Sequence, residues 1–455
     1  MDYLTGQKLI KQKQFGKALK IFLDLLKNGN KEIGVLFYLG RIYSEFGDYK
    51  KSISYYEKCL TIDPNSINTL FNLAILKHNI GEINSAQKIY IKLINLNKNN
   101  IPSYFGLYTL NQSFISDKYY QNMIELLESD EINIYEKSLI NYLLSKKEKN
   151  NNNYQKEIEY LDNFHSMCFK SNFEYNNQSE FYYKKIISKF YNKIEFDNIN
   201  INNKKHNSPL FIIGLPRSGS TLIESILTSE DLEIKSFGES NFINMSILQQ
   251  IGSEIYNKDF ILENFKFKID FKKIYNSVLE RYSQSSFDND KKLNLFIDKS
   301  LENFHNIEII LKIFPKAKFL HTFRNSKDAV ISIYQSMLSE LSWTHKIEDI
   351  LDYVDSYKNI INYFKKKYPE KIMDIDLEEL TTESEKISKK IFNFCELKWT
   401  SRVLDFYKRD NLFSKTISST QIRKKISSYN KFKYKEYFYL LEKFKNKYPW
   451  VDVKN

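Results

Sequence analysis

Over the first hundred residues the apolar positions recur at helical spacing, and the pattern repeats every 34 residues. Gly6, Gly40 and Ala74 fall in register, as do Ala18, Ser52 and Ala86. So do Phe22, Tyr56 and Tyr90, and then Leu25, Cys59 and Leu93. Small residues recur where two helices must approach closely, and aromatics where a helix packs on its neighbour. Gly47 and Gly81 fall at turns between helices, and Pro64 ends the second repeat. The pattern predicts stacked helices over about residues 2–100. Residues 101–200 keep helical spacing in YEKSLINYLLSKKEK and SEFYYKKIISKFYNK but lose the register, with NNNN at 150–153 as a turn. Near residue 207 the texture changes. PLFIIG (209–214), LNLFID (293–298), KAKFLHTF (316–323) and KIMDIDL (371–377) read as strands with helical stretches between them. That alternation predicts a parallel sheet covered by helices, whose ligands bind beyond the carboxyl ends of the strands.

The repeat columns resemble the tetratricopeptide repeat, which implies an all-α solenoid able to bind a peptide or protein partner. Three segments are therefore expected: repeats over 1–100, a helical extension or degenerate repeats over 101–200, and an α/β domain over 207–455. No apolar run approaches the roughly 20 residues of a membrane span, and the N-terminus reads without a signal peptide. Three scattered cysteines, Cys59, Cys168 and Cys395, suggest neither a disulfide framework nor a zinc site. They fit a reducing, cytoplasmic location. The net charge of +12 comes from 61 lysines spread over all segments, against seven arginines. That dispersion reads as solvated surface, not as a nucleic-acid interface. Where an arginine survives in so lysine-rich a chain, its planar fork is a candidate for a specific contact.

FIIGLPRSGST (211–221) places Gly214 and Gly219 five apart, followed by Ser220-Thr221, as in a phosphate-binding P-loop. The lysine position of that motif holds Ser220. An apolar strand precedes the loop, and Leu222, Ile223, Ile226 and Leu227 form a helical face after it. The loop thus ends at a helix N-terminus, where free N–H groups and the helix dipole favour an anion. Gly219 permits close approach, Ser218, Ser220 and Thr221 add hydroxyls, and Arg217 offers a cation inside the loop.

PRSGST after an apolar strand resembles the 5′-phosphosulfate loop of sulfotransferases, which use 3′-phosphoadenylyl sulfate (PAPS). Their usual form is P-R-S-G-T-T-L, so Ser220 replaces the first threonine and keeps the hydroxyl. Such a ligand has no γ-phosphate, and on this reading no lysine is missing. The resemblance implies a second anion site, and KFLHTFRNSKDAVISIY supplies one. Arg324 follows a strand, Asn325-Ser326 can cap a helix, and Ser332 stands eight residues on, as in the family's 3′-phosphate motif. A third match, TISSTQIRKKISSYNKFKYKEY (416–437), resembles the segment that closes over the nucleotide in tyrosylprotein sulfotransferases and related bacterial enzymes. Thr416, Ser418, Gln421, Ile422 and Arg423 fall on its T-x-S-x-x-Q-[VI]-R pattern, and Lys433 on its basic position. Two departures are Lys425 at a common proline and Tyr434 at a common tryptophan.

Sulfuryl transfer needs a base for the acceptor's proton and donors for the leaving oxygen. In SFGESNF the resemblance assigns the base to Glu239, although the tyrosylprotein enzymes carry two successive acids where this chain has Glu239 and then Ser240. In LFIDKSLENF it assigns leaving-group stabilisation to Lys299, with Ser418 assisting. Taken together, the resemblance implies an α/β sulfotransferase fold and a PAPS-dependent enzyme without a metal. Two other readings stand beside it. Asp298 after an apolar strand also reads as a magnesium-binding acid, which would make the domain a variant P-loop kinase or nucleotidase. An inactive scaffold built on the repeats is the third. The acceptor is not legible.

Overall fold

The computed structural model describes residues 3–29, 32–188, 208–229, 234–255, 269–285, 295–409 and 423–452. Of the expected site residues, Ser418 and Gln421 lie outside them, as do Thr416 and Ile422. The chain divides into two compact units. One comprises 1–140 with 279–292 and 409–423, the other 141–278, 293–408 and 424–455.

The first unit is built on helix pairs: α1 (Tyr3–Lys11) with α2 (Phe15–Lys27), α3 (Ile33–Glu45) with α4 (Tyr49–Ile62), and α5 (Ile67–Asn79) with α6 (Ile83–Leu96). The repeat columns have the expected physical basis. A Cβ on Gly6 would stand 2.7 Å from the Phe22 ring, and one on Gly40 2.7 Å from that of Tyr56. The Ser52 hydroxyl, in the second small column, donates to the Gly40 carbonyl at 2.7 Å. Gly47 and Gly81 have φ of 79° and 89°, the left-handed turn geometry that glycine adopts without strain.

The period runs further than the sequence pattern. A fourth pair, α7 (Ile101–Leu110) and α8 (Asp117–Glu128), starts 34 residues after α5 and α6. The columns hide it because Tyr108 and Tyr120 stand where small residues would fall in register. Gly106 instead packs on the third pair, where a Cβ would lie 2.4 Å from the Tyr90 ring of α6. Helices Ile134–Asn150, Tyr154–Ser171 and Phe173–Phe181 follow, and the last runs into a π-helical turn at Tyr182–Ile187.

The α/β domain holds a five-stranded sheet in the order β2-β3-β1-β4-β5, with every pairing parallel. The strands are β1 (Leu210–Gly214), β2 (Lys235–Ser236), β3 (Phe296–Asp298), β4 (Lys318–Phe323) and β5 (Ile372–Asp376). The four anticipated strands are present; β2, two residues long, carried no sequence signal. β1 is central and buried along its whole length. Successive strands lie to one side of it and then to the other, which opens a crevice at its carboxyl end. Among the described residues no helix is long and apolar enough to cross a membrane. Cys59, Cys168 and Cys395 are buried, and none forms a disulfide.

Candidate active site

The loop after β1 is shaped by three backbone positions. Gly214 (φ 144°) lies so close to β4 that a Cβ would meet the Thr322 carbonyl oxygen at 2.2 Å. Arg217 adopts φ 68°, a left-handed conformation uncommon outside glycine and found mostly where a loop is held for a purpose. Gly219 (φ 93°) precedes helix Ser220–Leu227, and a Cβ there would meet Leu377 at 2.5 Å. The Ser218 hydroxyl is taken up by the loop itself. It donates to the Leu215 carbonyl at 2.6 Å and pairs with the Thr322 hydroxyl at 2.5 Å. Ser220 and Thr221, both buried, form the first turn of the helix, whose Leu222 and Ile223 N–H groups donate to the Gly219 carbonyl at 3.0 and 3.2 Å.

The second anion motif comes to this loop. β4 ends at Phe323, and Asn325 caps helix Ser326–Tyr334, accepting from the Lys327 and Asp328 N–H groups at 3.0 and 3.3 Å. Between them Arg324 donates through Nη1 to the Arg217 carbonyl at 3.1 Å and through Nη2 to the Tyr429 hydroxyl, with Asp328 at 3.5 Å. Ser332, on the buried face of the same helix, accepts from the Tyr434 hydroxyl at 3.1 Å. The Tyr434 ring is surrounded by cations, with Arg324 at 5.1 Å and Lys433 at 5.3 Å from its centroid. Burial alone would raise the Tyr434 phenol. Lys433, the Ser332 hydrogen bond and the two arginines outweigh that and lower it below the ordinary tyrosine value. Burial pulls the Arg217 guanidinium down from its usual range; Tyr434 and Tyr142 oppose that effect and Arg324 adds to it.

The catalytic candidates meet at the end of β3. Lys299 is 1% exposed, and its Nζ lies 2.9 Å from Glu239 Oε1 and 3.3 Å from Glu224 Oε2. Burial would lower this lysine, but Glu224 and Glu239 together raise it above the normal value and hold it charged. Glu239 is 60% exposed, within reach of an incoming molecule. The segment that carries it is laced to β3: the Phe237 N–H donates to the Ile297 carbonyl and the Lys299 N–H to the Gly238 carbonyl, each at 2.9 Å. Asp298 completes the lacing. Its carboxylate accepts from the Ser240 hydroxyl (2.8 Å), the Ser300 N–H (2.7 Å) and the Asn303 amide (3.2 Å). These three donors make it a fastening for the loop.

Several of these partners were not legible in the chain. Glu224 lies one turn into the helix after the loop and binds both Lys299 and, at 2.5 Å, the Ser236 hydroxyl. Glu302, three residues past Lys299, accepts from Tyr183 at 2.6 Å, and burial raises its carboxyl above the usual range. Nothing in the helical pattern tells which carboxylate will face a lysine from another element. Arg423, aligned with the closing-segment motif, belongs to the repeat unit, where it donates to the Asn79 carbonyl at the end of α5 at 2.5 Å.

Residues 209–401 match the model of the sulfotransferase family, and residues 33–66 and 55–88 match two models of the tetratricopeptide repeat. An uncharacterized protein of Aquifex aeolicus (strain VF5) is 30% identical over 228 residues, 48% of this chain. The chain spans only 29% of that relative's length. Among solved structures, sulfotransferase STF9 from Mycobacterium avium overlaps 74% of this chain and 97% of its own, at 11% identity and a TM-score of 0.33. The sulfotransferase domain of the Synechococcus PCC 7002 olefin synthase overlaps 49% of this chain and 88% of its own, at 16% identity and 0.31. The chain carries a sulfotransferase family domain behind N-terminal tetratricopeptide repeats.

Proposed function

We propose that the domain moves a sulfuryl group from PAPS to an acceptor hydroxyl or amine. The observation that carries this reading is the hydrogen bond from Arg324 to the Arg217 carbonyl. It joins two anion motifs 107 residues apart into one basic site. The site suits such a ligand in kind: two arginines drawn out of water and a helix N-terminus.

PAPS, when bound, supplies the sulfuryl group on its 5′-phosphate. Arg217, Gly219, Ser220 and Thr221 hold that end, and Ser218 keeps the loop in shape. Arg324 and Ser332 hold the 3′-phosphate, with Lys433 and Gln421 on the closing segment. Glu239 takes the acceptor's proton, and its exposure leaves it accessible to a hydroxyl or amine. Lys299, kept charged by two carboxylates, donates to the leaving oxygen, and Ser418 assists it. A bacterial relative of the tyrosylprotein enzymes is the subtype we favour, since a single Glu239 follows Gly238 and Ser240 turns to Asp298. The repeats serve to bind a protein or peptide partner.

The test is PAPS turnover with release of adenosine 3′,5′-bisphosphate against a panel of peptide, glycan and lipid acceptors. A chain that binds no adenosine bisphosphate would defeat the reading and revive the inactive scaffold. A variant kinase is disfavoured by Asp298, whose oxygens already take three donors.

A further inference from the structure

Helix Ile134–Asn150 lies ahead of the transferase domain and reads in sequence as part of the helical extension. Two of its lysines do not behave as surface lysines. Lys146 is buried, and its Nζ donates to the Gln335 backbone carbonyl at 2.5 Å. Lys149, three residues further on, donates to the Gln335 side-chain oxygen at 2.6 Å. Gln335 ends the helix that carries Ser332. Both ammonium groups therefore sit at the end of the element that forms the second anion motif.

Tyr434 links Lys149 to Arg324. Lys149 Nζ is 6.0 Å from the Tyr434 ring centroid, on a ring that Arg324 and Lys433 also approach and whose hydroxyl occupies Ser332. The charges acting on Lys146 are uneven: Lys149, Arg217 and Lys433 on one side, and the single carboxylate of Glu157 on the other. That carboxylate is itself buried, bonded by the Tyr437 hydroxyl at 2.5 Å and 3.8 Å from Lys149 Nζ, so one carboxylate serves both lysines. Gathering like charges away from water is costly unless an anion joins them.

We propose that Lys146 and Lys149 are further anion-binding residues, which hold, from the helix ahead of the domain, the same 3′-phosphate as Arg324 and Ser332. This rests on the nucleotide reading above and adds to it. The transferase site would then extend beyond the segment matched by the family model, which starts at residue 209.

The experiment is calorimetric titration of the full chain with adenosine 3′,5′-bisphosphate and with adenosine 5′-phosphate, using K146Q, K149Q and R324A. Each lysine variant is expected to lower bisphosphate affinity about tenfold or more, with 5′-phosphate affinity within about twofold of wild type. Thermal melting checks folding. Lys149 is 29% exposed, so K149Q carries the test by itself if K146Q does not fold. Equal losses for both ligands would mean a structural role and overturn the proposal. Wild-type bisphosphate affinity in the lysine variants, with a loss in R324A, would overturn it and leave the nucleotide reading standing. No bisphosphate binding by the wild type would overturn both.

Discussion

Arg324 donates through Nη1 to the carbonyl oxygen of Arg217 at 3.1 Å, so the two arginines of the two anion motifs share one wall. The guanidinium serves three partners at once, the Arg217 carbonyl, the Tyr429 hydroxyl and Asp328. A lysine ammonium has the charge but not the fork. R324K is therefore expected to lose affinity for adenosine 3′,5′-bisphosphate by about tenfold or more, nearly as much as R324A. Calorimetry checks this, and full affinity in R324K would show that charge alone suffices.

Glu239 and Lys299 make a second test. E239Q keeps the shape of the side chain and its hydrogen bond to Lys299, but cannot take a proton. Transfer should fall by roughly 10²–10⁴-fold, with bisphosphate affinity unchanged. Single-turnover kinetics separate the two. If E239Q turned over near the wild-type rate, Glu302, whose carboxyl is raised by burial, would become the next residue to examine.

The pH dependence of binding follows from Lys146. Burial, opposed by Glu157 and reinforced by Lys149, Arg217 and Lys433, lowers its pKa to about 7. Without ligand its charge is lost as pH rises through that value. Between there and the unfolded lysine value the folded chain holds fewer protons than the unfolded one, so stability rises with pH across that window. A bound phosphate favours the charged form. Binding at pH 8 should accordingly take up close to one proton. Titrations in buffers of different ionisation enthalpy measure it, and K146Q should abolish it. Uptake unchanged in K146Q would assign the proton to another group.

In the repeats, Gly40 stands where a Cβ would lie 2.7 Å from the Tyr56 ring, itself buried. G40A should destabilise by about 1–3 kcal/mol through overpacking. Gly252, in helix Phe242–Ile255, has nothing within 4 Å of its added Cβ. There alanine should stabilise by about 0.4–1 kcal/mol. Denaturant unfolding of both variants checks the contrast, and equal shifts would contradict the packing account.

What the chain determined by itself was local. The 34-residue period, the strand–loop–helix around Arg217 and the cap at Asn325 depend on residues near one another in sequence, so spacing and turn chemistry reveal them. The fourth helix pair escaped because Tyr108 and Tyr120 took the small columns, and its Gly106 packs on Tyr90 of the preceding pair. Tertiary structure decided the rest. Lys299 meets Glu224 as well as Glu239, and Tyr434 reaches Ser332 across 102 positions. Among 61 lysines, Lys146 is one that folding buries beside other cations. A lysine's codes for surface and for site are the same in sequence. Only the elements packed around its ammonium group, and the water they exclude, set the two apart.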